Sequence, residues 1–156
     1  LDDVAPLYPA VEFHIADERS IAQADVISCA TTAPQPIFPG ESVSPGTHVN
    51  AIGAFTPTTR ELDSDLIAKS TLFMDTKDGC HEEAGDFLIP LSEGRITEQA
   101  LQTELGSVVA GEAEGRTSND QITVFKSVGS AAFDVAAAYA LWRAGGENMG
   151  SEVTLD

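Results

Sequence analysis

A short, largely apolar run at residues 49–54 is the sequence feature that most limits the folds open to this chain. It contains the β-branched residues Val49 and Ile52, and a polar loop and then a helix-like segment from Ser64 follow it. Such a run predicts a strand buried on both faces, as in parallel sheets. Because ligands of open α/β sheets bind just beyond the carboxyl ends of strands, the turn at Gly53 is a candidate binding site. An ordinary strand-to-helix connection is the alternative.

Strands and helices are predicted to alternate along most of the chain. The other predicted strands lie at residues 11–15, 25–30, 71–75 and 121–126. Predicted helices follow Asp17 as a capping residue and occupy residues 64–70, 77–85, 97–105, 106–110 and 131–143. This alternation indicates right-handed β-α-β units, and therefore an α/β fold with a mostly parallel sheet flanked by helices. We expect a single domain over residues 1–156, with no linker.

Two of these helices carry more detailed predictions. The helix at 77–85 is predicted to end at Gly85, a typical C-terminal residue. The helix at 131–143 is rich in alanine, which has the highest helix propensity. Its apolar residues recur at helical spacing and predict a buried side made of Phe133, Ala137, Ala140 and Leu141. The tail that follows contains a short apolar piece at 153–155.

The charge balance excludes some partners. The chain has 25 Asp plus Glu against 8 Lys plus Arg, a formal net charge of -17 at pH 7. Such a surface repels phosphate backbones, so no nucleic-acid partner is expected. No run of about 18 apolar residues is present, so no membrane partner is expected either. The dispersed acidic residues fit either a protein adapted to high salt, where screening weakens their mutual repulsion, or an ordinary acidic protein. Unfolding measured from low to multimolar salt distinguishes the two, because equal stability throughout would count against salt adaptation.

The two cysteines, Cys29 and Cys80, are far apart and form no C-x-x-C pair. Cys29 ends an apolar run and is predicted to be a small buried residue. This pattern favours reduced thiols over a disulfide, so we expect a reducing compartment, the cytoplasm.

Common catalytic and metal-binding motifs are absent. The sequence contains neither G-x-G-x-x-G nor G-x-x-x-x-G-K-[ST], and no serine or cysteine lies in a nucleophile elbow. Cys80, His81, Glu82 and Glu83, with Asp86, resemble metal ligands. Residues one and two apart on a helix point in different directions, however, and no i, i+4 histidine pair is present, so no metal site is expected. His48 is interpreted as a half-buried structural residue.

Two further strand ends carry polar candidates. Thr31 and Thr32 end one predicted strand, where their hydroxyls either bind a ligand or begin a turn. Lys126 and Ser127 lie between a buried strand and a helix, whose free N–H groups and positive end suit an anion or a ribose. The residues alone therefore predict an acidic α/β domain with possible ligand contacts at several strand ends.

Six segments, in order and spread over most of the chain, resemble the ornithine cyclodeaminase/μ-crystallin family. They are residues 24–32, 45–54, 60–63, 83–86, 104–111 and 122–129. The longest read ADVISCATT, PGTHVNAIGA, ELGSVVAG and ITVFKSVG. The resemblance implies a Rossmann-type domain that binds NAD or NADP. It also implies chemistry at the carbon–nitrogen bond of an amino acid or cyclic imine, as in the ornithine cyclodeaminases, alanine dehydrogenases and ketimine reductases of the family.

The resemblance also assigns site residues by position. The positions that match family contacts to the cofactor are Thr31, Ile52, Gly53, Ala54 and Ser127. Val128 matches a residue that lines the substrate, while no catalytic residue is assigned.

Phe55 departs from the family pattern in one important respect. In the ornithine cyclodeaminases of the family that the chain resembles, an aspartate at this position acts in proton transfer. A phenyl ring cannot transfer a proton. The resemblance is therefore closer to the imine-reducing members, in which the cofactor supplies a hydride to the C=N carbon.

A second departure concerns the extent of the match. The chain resembles only the later, cofactor-binding half of the family, so the first βαβ half of the dinucleotide fold has no counterpart in it. Strands at 25–30 and 11–15 would then lack neighbours, and bare sheet edges favour pairing with another copy of the chain. We therefore expect a homo-oligomer formed through exposed sheet edges, or a rearranged sheet.

Three functions fit these observations. The first is part of an NAD(P)-dependent ketimine reductase or amino-acid dehydrogenase, inactive as this portion alone. The others are an ornithine cyclodeaminase and a truncated, non-enzymatic relative that binds a small molecule or a protein. Substrate identity and the choice between NAD and NADP are not encoded in a motif of this chain.

Overall fold

The centre of the fold is a parallel sheet, as shown by a computed structural model that describes residues 3–145. Its strands in the described region are β1 (Val26–Cys29), β2 (His48–Ala51), β3 (Thr71–Met74) and β4 (Thr123–Lys126). They lie in the order β1-β2-β4-β3, and each neighbouring pair is parallel. The predicted α/β fold with a parallel sheet is confirmed.

Helices precede, connect and follow these strands. The α-helices of the described region are α1 (Glu18–Ile21), α2 (Ser64–Lys69), α3 (Lys77–Glu83), α4 (Gly85–Ser92), α5 (Leu105–Val109) and α6 (Ala131–Ala144). Short 3-10 turns occur at Ala5–Leu7, Gly40–Ser42 and Glu98–Ala100. Asp17 caps α1 as predicted, because its carboxylate accepts the N–H of Arg19 at 3.0 Å.

One face of the sheet carries the hydrophobic core. The strand register aligns a row of buried side chains across it, namely Ile27, Val49, Val124 and Leu72. Ile67 of α2 and Phe87 of α4 are fully buried in the same core. Packing of these helices on one face explains why alternate residues of β1, β2 and β3 are apolar, whereas β4 ends on this face with the buried Lys126.

The opposite face is less covered. Val26 is 60% exposed at its edge, and His48 and Asn50 are half-buried. Their polar groups bond to one another: His48 Nε2 lies 3.1 Å from Asn50 Oδ1, and Asn50 Nδ2 donates to Ser28 Oγ at 3.2 Å. The prediction that β2 is buried on both faces is therefore wrong for this face.

Residues 11–15 do not form the predicted strand. They are largely exposed, with Ile15 89% accessible, and are assigned no regular structure. Their alternating pattern is real, but none of the strands in residues 3–145 pairs with them. A strand needs a hydrogen-bonding neighbour, and alternation alone does not supply one.

Gly85 does not end a helix as predicted; it begins α4, which the sequence did not predict. A Cβ on Gly85 would lie 2.1 Å from the carbonyl oxygen of Thr59, so close packing requires glycine here. Pro90 lies inside α4 and interrupts its helical pattern. The helix predicted at 97–105 is limited to a 3-10 turn, whereas the one at 106–110 corresponds to α5.

Helix α6 forms where predicted but is not buried where predicted. Every residue from 131 to 144 is exposed, including Phe133 at 49% and Leu141 at 67%. The predicted buried side of α6 is therefore wrong within the described region. The spacing of its apolar residues indicates an apolar helix face, but it does not indicate which surface covers that face. The apolar piece at 153–155 lies outside the described residues.

The two edges of the sheet differ. β1 pairs only with β2 among the described strands, so its outer edge is bare. The outer edge of β3 is partly covered, because Met74 N donates to Thr103 O at 3.0 Å. Pairing of the β1 edge with another chain stays a prediction. Over residues 3–145, no helix has the length and apolar character needed to cross a membrane.

Both cysteines are free and buried, as predicted for Cys29. Burial raises the pKa of Cys29 to about 12, and the nearby carboxylates of Glu61 and Asp86 add to this shift. Burial likewise raises the pKa of Cys80 to about 12, with a further contribution from Asp75. Neither thiol is therefore a nucleophile at neutral pH.

We expect neither cysteine to react with a disulfide reagent such as DTNB while the chain is folded, because only an accessible thiolate reacts. The measurement is the rate of reagent reduction at mildly alkaline pH, with and without denaturant. A Ser28→Cys variant is the matched control, since Ser28 precedes Cys29 but is exposed, and it should react quickly. Rapid labelling of the unmodified folded chain would contradict the described burial.

Candidate binding site at the carboxyl edge of the sheet

The loops that follow the four described strands leave from one edge of the sheet. Backbone hydrogen bonds continue past the strand ends: Ile52 N donates to Cys29 O at 2.9 Å, and Ser127 N donates to Ala51 O at 3.2 Å. Asp75 N donates to Lys126 O at 3.0 Å. The loops therefore lie side by side in the strand order, and the sequence-predicted residues Thr31, Gly53 and Ser127 share this edge.

Glu61 joins the first two of these loops. Its carboxylate accepts the backbone N–H of Thr31 at 2.6 Å through Oε1 and that of Gly53 at 2.7 Å through Oε2. The side chain is completely buried. Hydrogen bonds to a carboxylate are roughly twice as strong as those between neutral groups, so this bridge fixes the spacing of the β1 and β2 loops.

The close approach of these loops explains Gly53. A Cβ at this position would lie 2.2 Å from the carbonyl oxygen of Thr31 and 2.3 Å from Glu61 Oε1. No side chain larger than hydrogen fits there. The sequence makes the turn at Gly53 a candidate binding site, and the group that approaches Gly53 closely in the structure is the chain's own β1 loop.

A buried ion pair lies behind this bridge. Lys126 Nζ is 2.8 Å from Asp86 Oδ2, and both side chains are fully buried. Apart from this ion pair, Asp86 Oδ2 has no partner among the described residues. Lys126 Nζ also donates a hydrogen bond to the carbonyl oxygen of Ala54. The ammonium group thus links β4 to the loop after β2.

Asp86 connects this ion pair to Glu61. Its Oδ1 accepts the backbone N–H groups of Glu61 at 2.8 Å and Leu62 at 2.9 Å. Helix α4, which carries Asp86, therefore holds the segment that carries Glu61. Two buried carboxylates and one buried ammonium group form a continuous network beneath the candidate site.

Asp75 organises the other two loops. Its Oδ2 accepts Ser127 Oγ–H at 2.7 Å and the backbone N–H groups of Val128 and Gly129, both at 2.9 Å. Its Oδ1 accepts the N–H of Thr76 at 2.6 Å. One carboxylate at the end of β3 therefore shapes the turn between β4 and α6, which contains two predicted site residues.

These hydrogen bonds also set the acidity of Asp75. Burial alone would raise the pKa of its carboxyl group, but the hydrogen bonds from Ser127, Thr76 and Gly129 stabilise the charged form and outweigh burial. The pKa of Asp75 is lowered as a result. The ionised carboxylate is the form that holds the turn.

The predicted site residues differ in what they leave free for a ligand. The N–H of Thr31 is taken by Glu61 and its Oγ1 accepts Ala33 N at 3.1 Å, so the hydroxyl proton remains available. Ala54 is buried, and its carbonyl oxygen is bonded to Lys126. Ile52, in contrast, leaves its apolar side chain 49% exposed.

Ser127 and Val128 are held more tightly. Ser127 Oγ donates to Asp75 and accepts Gly129 N at 3.2 Å, which leaves one lone pair for a ligand. Val128 packs partly against the core, and its N–H is bonded to Asp75. Whether these residues contact a ligand stays a prediction.

Sequence reasoning did not predict the buried network of Glu61, Asp86 and Lys126, and it missed the role of Asp75. Lys126 is predicted with Ser127 as an anion or ribose contact, but its ammonium group is fully buried against Asp86. The available signal was weak but present. Lys126 ends the apolar strand β4, and Glu61 directly precedes the fully buried Leu62. A charged residue that interrupts or ends a core segment indicates a buried partner of opposite charge.

A concavity separate from these loops lies on the half-covered face of the sheet. It has a volume of about 230 Å³ and is lined in part by His48, Phe73, Arg116 and Thr123. His48 Nδ1 lies 2.8 Å from Thr123 Oγ1, and Arg116 Nη2 donates to the same oxygen at 2.9 Å. These polar groups bond to one another, which agrees with the structural interpretation of His48. The described residues contain no group of three or more potential metal ligands.

Known proteins are similar to this chain in sequence and fold. A model of the ornithine cyclodeaminase/mu-crystallin family matches residues 10–144. A Delta(1)-pyrroline-2-carboxylate reductase from Bacillus cereus is 39% identical over 135 residues, which cover 86% of this chain and 41% of that protein. The chain thus spans about two fifths of the length of this relative.

Two solved structures extend the comparison. The Thermococcus litoralis Delta(1)-pyrroline-2-carboxylate reductase in complex with NADH and L-proline superposes with a TM-score of 0.72 at 37% identity, covering 87% of this chain and 44% of that one. The iminosuccinate reductase of Paracoccus denitrificans in complex with NAD+ gives a TM-score of 0.80 at 31% identity, covering 91% and 43%. The Rossmann-like fold is therefore confirmed.

Replacing Lys126 by Met should destabilise the chain by about 3–5 kcal/mol, because it leaves the charge of Asp86 buried without a partner. Adding Asp86→Asn should recover part of this loss, since the amide oxygen still accepts the N–H groups of Glu61 and Leu62. Denaturant unfolding of the two variants measures both effects. Lys77→Met, at an exposed lysine, is the control and should change stability by about 0.5 kcal/mol or less.

Replacing Asp75 by Asn should cost about 1–3 kcal/mol at neutral pH, because a charged acceptor of several hydrogen bonds becomes neutral. The lowered pKa of Asp75 contributes stability above the unfolded value of about 3.9, and this contribution is lost as the pH falls through the folded pKa. The difference in unfolding free energy between the unmodified protein and the Asp75→Asn variant should therefore shrink below about pH 4. Denaturant unfolding of both proteins across this pH range measures that difference, and a constant difference would contradict the role of the carboxylate.

Proposed function

Because the chain belongs to the ornithine cyclodeaminase/μ-crystallin family, we propose that it forms part of the NAD(P)-binding side of a ketimine reductase. The substrate we propose is a cyclic imino acid such as pyrroline-2-carboxylate. Two kinds of relatives support this choice, since similar proteins are named as a Delta(1)-pyrroline-2-carboxylate reductase and an iminosuccinate reductase.

The observation that carries the proposal is the shared edge of the sheet. The residues that match family contacts to the cofactor, Thr31, Gly53 and Ser127, follow β1, β2 and β4, which are adjacent strands. Two buried carboxylates, Glu61 and Asp75, fix the loops that contain them. Ligands of open α/β sheets bind at this kind of edge.

The groups at this edge suit the nicotinamide end of a dinucleotide. Ile52 and Phe55 expose apolar side chains, 49% and 62% accessible, to which a planar ring can bind. The Thr31 hydroxyl and nearby carbonyl oxygens can bond to sugar hydroxyls. The sequence has no glycine-rich phosphate motif, so we assign the pyrophosphate to no residue of this chain.

When bound, the cofactor would supply the hydride that reduces the C=N carbon of the imine. The chain's own residues would act by binding and orientation: Thr31, Ile52, Gly53, Ala54 and Ser127 would hold the cofactor, and Val128 would border the substrate. Holding two reactants in a fixed geometry lowers the barrier without any group of the chain reacting.

Phe55 favours reduction over ornithine cyclodeamination. Its side chain is 62% exposed and follows the β2 loop, next to the predicted cofactor contacts. A phenyl ring neither accepts nor donates the proton that cyclodeamination requires at this position. The choice between NAD and NADP is left open in this proposal.

The test uses the protein expressed from its complete reading frame. Calorimetric titration should detect binding of NADH or NADPH, and pyrroline-2-carboxylate should cause reduced cofactor to be consumed. Ornithine with the oxidised cofactor should release no ammonia. Absence of binding by both dinucleotides would exclude the oxidoreductase function, while ammonia release from ornithine would support a cyclodeaminase instead.

A further inference from the structure

Glu61 has no part in the proposed reaction, yet its side chain is completely buried directly between two predicted cofactor loops. A buried carboxylate is costly unless hydrogen bonds compensate it. Here the compensation comes from the two loops themselves, through the N–H groups of Thr31 and Gly53. The arrangement therefore makes the position of both loops depend on one side chain.

The bridge also determines which backbone polar groups beside it are left without a hydrogen-bond partner. The N–H groups of Thr31 and Gly53 are bonded to Glu61, and the N–H of Ile52 is bonded to Cys29 O at 2.9 Å. By contrast, the carbonyl oxygens of Ile52 and Gly53 accept no hydrogen bond from any described residue, while that of Thr31 lies against Gly53. Next to the bridge, the backbone groups of Ile52 and Gly53 that remain for a ligand are therefore acceptors, and the Thr31 hydroxyl donates or accepts.

We propose that Glu61 is a positioning residue for the cofactor: it takes the N–H donors of Thr31 and Gly53, so that the carbonyl oxygens of Ile52 and Gly53 are the backbone groups that remain for the ligand beside the bridge. This inference rests on the proposed function. Carbonyl oxygens suit hydroxyl and amide N–H groups, such as those of a ribose and a carboxamide. They do not suit phosphate, which needs donors.

The surroundings of Glu61 show that it is held rigidly enough to act in this way. Its backbone N–H is bonded to Asp86, and Asp86 is paired with Lys126. Lys126 in turn donates to the carbonyl oxygen of Ala54, in the same β2 loop. The carboxylate and the loop are thus fixed from two sides, so Glu61 cannot move without changing the loop.

The first experiment uses Glu61→Gln in the protein expressed from its complete reading frame. An amide offers one acceptor, so the second loop N–H meets an NH₂ donor and loses its partner. We expect the dissociation constant for NADH, measured by calorimetry, to rise about tenfold, as expected for one unsatisfied buried group. Because Glu61 is not expected to touch the reacting atoms, KM for NADH should rise while kcat at saturating NADH changes by about twofold or less.

Ile67→Ala is the matched control. Ile67 is fully buried in α2, and its carbonyl oxygen bonds to Ser70, which leads into β3 at the opposite edge of the sheet. This variant should lose thermal stability without a change in the dissociation constant for NADH. An equal loss of NADH affinity in both variants would mean that Glu61 acts only through stability, and would overturn the proposal.

A second measurement needs no variant and remains decisive if Glu61→Gln fails to fold. In the unmodified protein, the amide protons of Thr31 and Gly53 should stay protected from exchange with and without NADH, since their bonds to Glu61 persist. The carbonyl carbon signals of Ile52 and Gly53 should move in NMR spectra when NADH is added. Loss of amide protection on binding would show that the bonds to Glu61 do not persist in the complex, and would overturn the inference.

The two proposals fail in different ways. If the unmodified protein binds neither NADH nor NADPH, the proposed function fails, and the role of Glu61 fails with it. If the unmodified protein binds NADH and Glu61→Gln binds it equally well, only the positioning role fails.

Discussion

The buried ion pair between Lys126 and Asp86 is the contact on which the carboxyl edge of the sheet depends. It joins the end of β4 to helix α4, and its two side chains reach further, to Ala54 and to the backbone of Glu61. Removing either charge leaves the other in a medium of low polarity, which is strongly unfavourable. Such a pair contributes little net stability compared with apolar packing, but it permits only one arrangement of the segments it joins.

Above this pair, two carboxylates divide the edge between them. Glu61 spans the loops after β1 and β2, whereas Asp75 spans the end of β3 and the turn after β4. Each carboxylate accepts hydrogen bonds from backbone N–H groups of the loops it joins. A charged acceptor of the chain itself therefore fixes these loops, and no ligand is needed to do so. The edge is thereby organised before any cofactor arrives, which lowers the entropy lost on binding.

The parts of the fold predicted from sequence are those that local pattern determines. The apolar runs that become β1 to β4 and the strand-to-helix turn at Ser127 follow from side-chain periodicity and from the residues that end helices and strands. Residues 11–15 show the limit, because alternation describes a strand's faces and not its neighbour. Glu61 and Asp86 show a second limit, since burial of a charge depends on partners 25 residues away in sequence.

The exposed helix α6 has a consequence for how this molecule can be observed. The chain contains one tryptophan, Trp142, and it lies on α6 with 74% of its surface accessible. Its ring lies 5.8 Å from that of Tyr139 on the same exposed helix. Indole emission is sensitive to water, and any molecule or segment that covers this helix will shift it. The chain therefore carries a single tryptophan reporter, located on the exposed helix that follows the edge we assign to the cofactor.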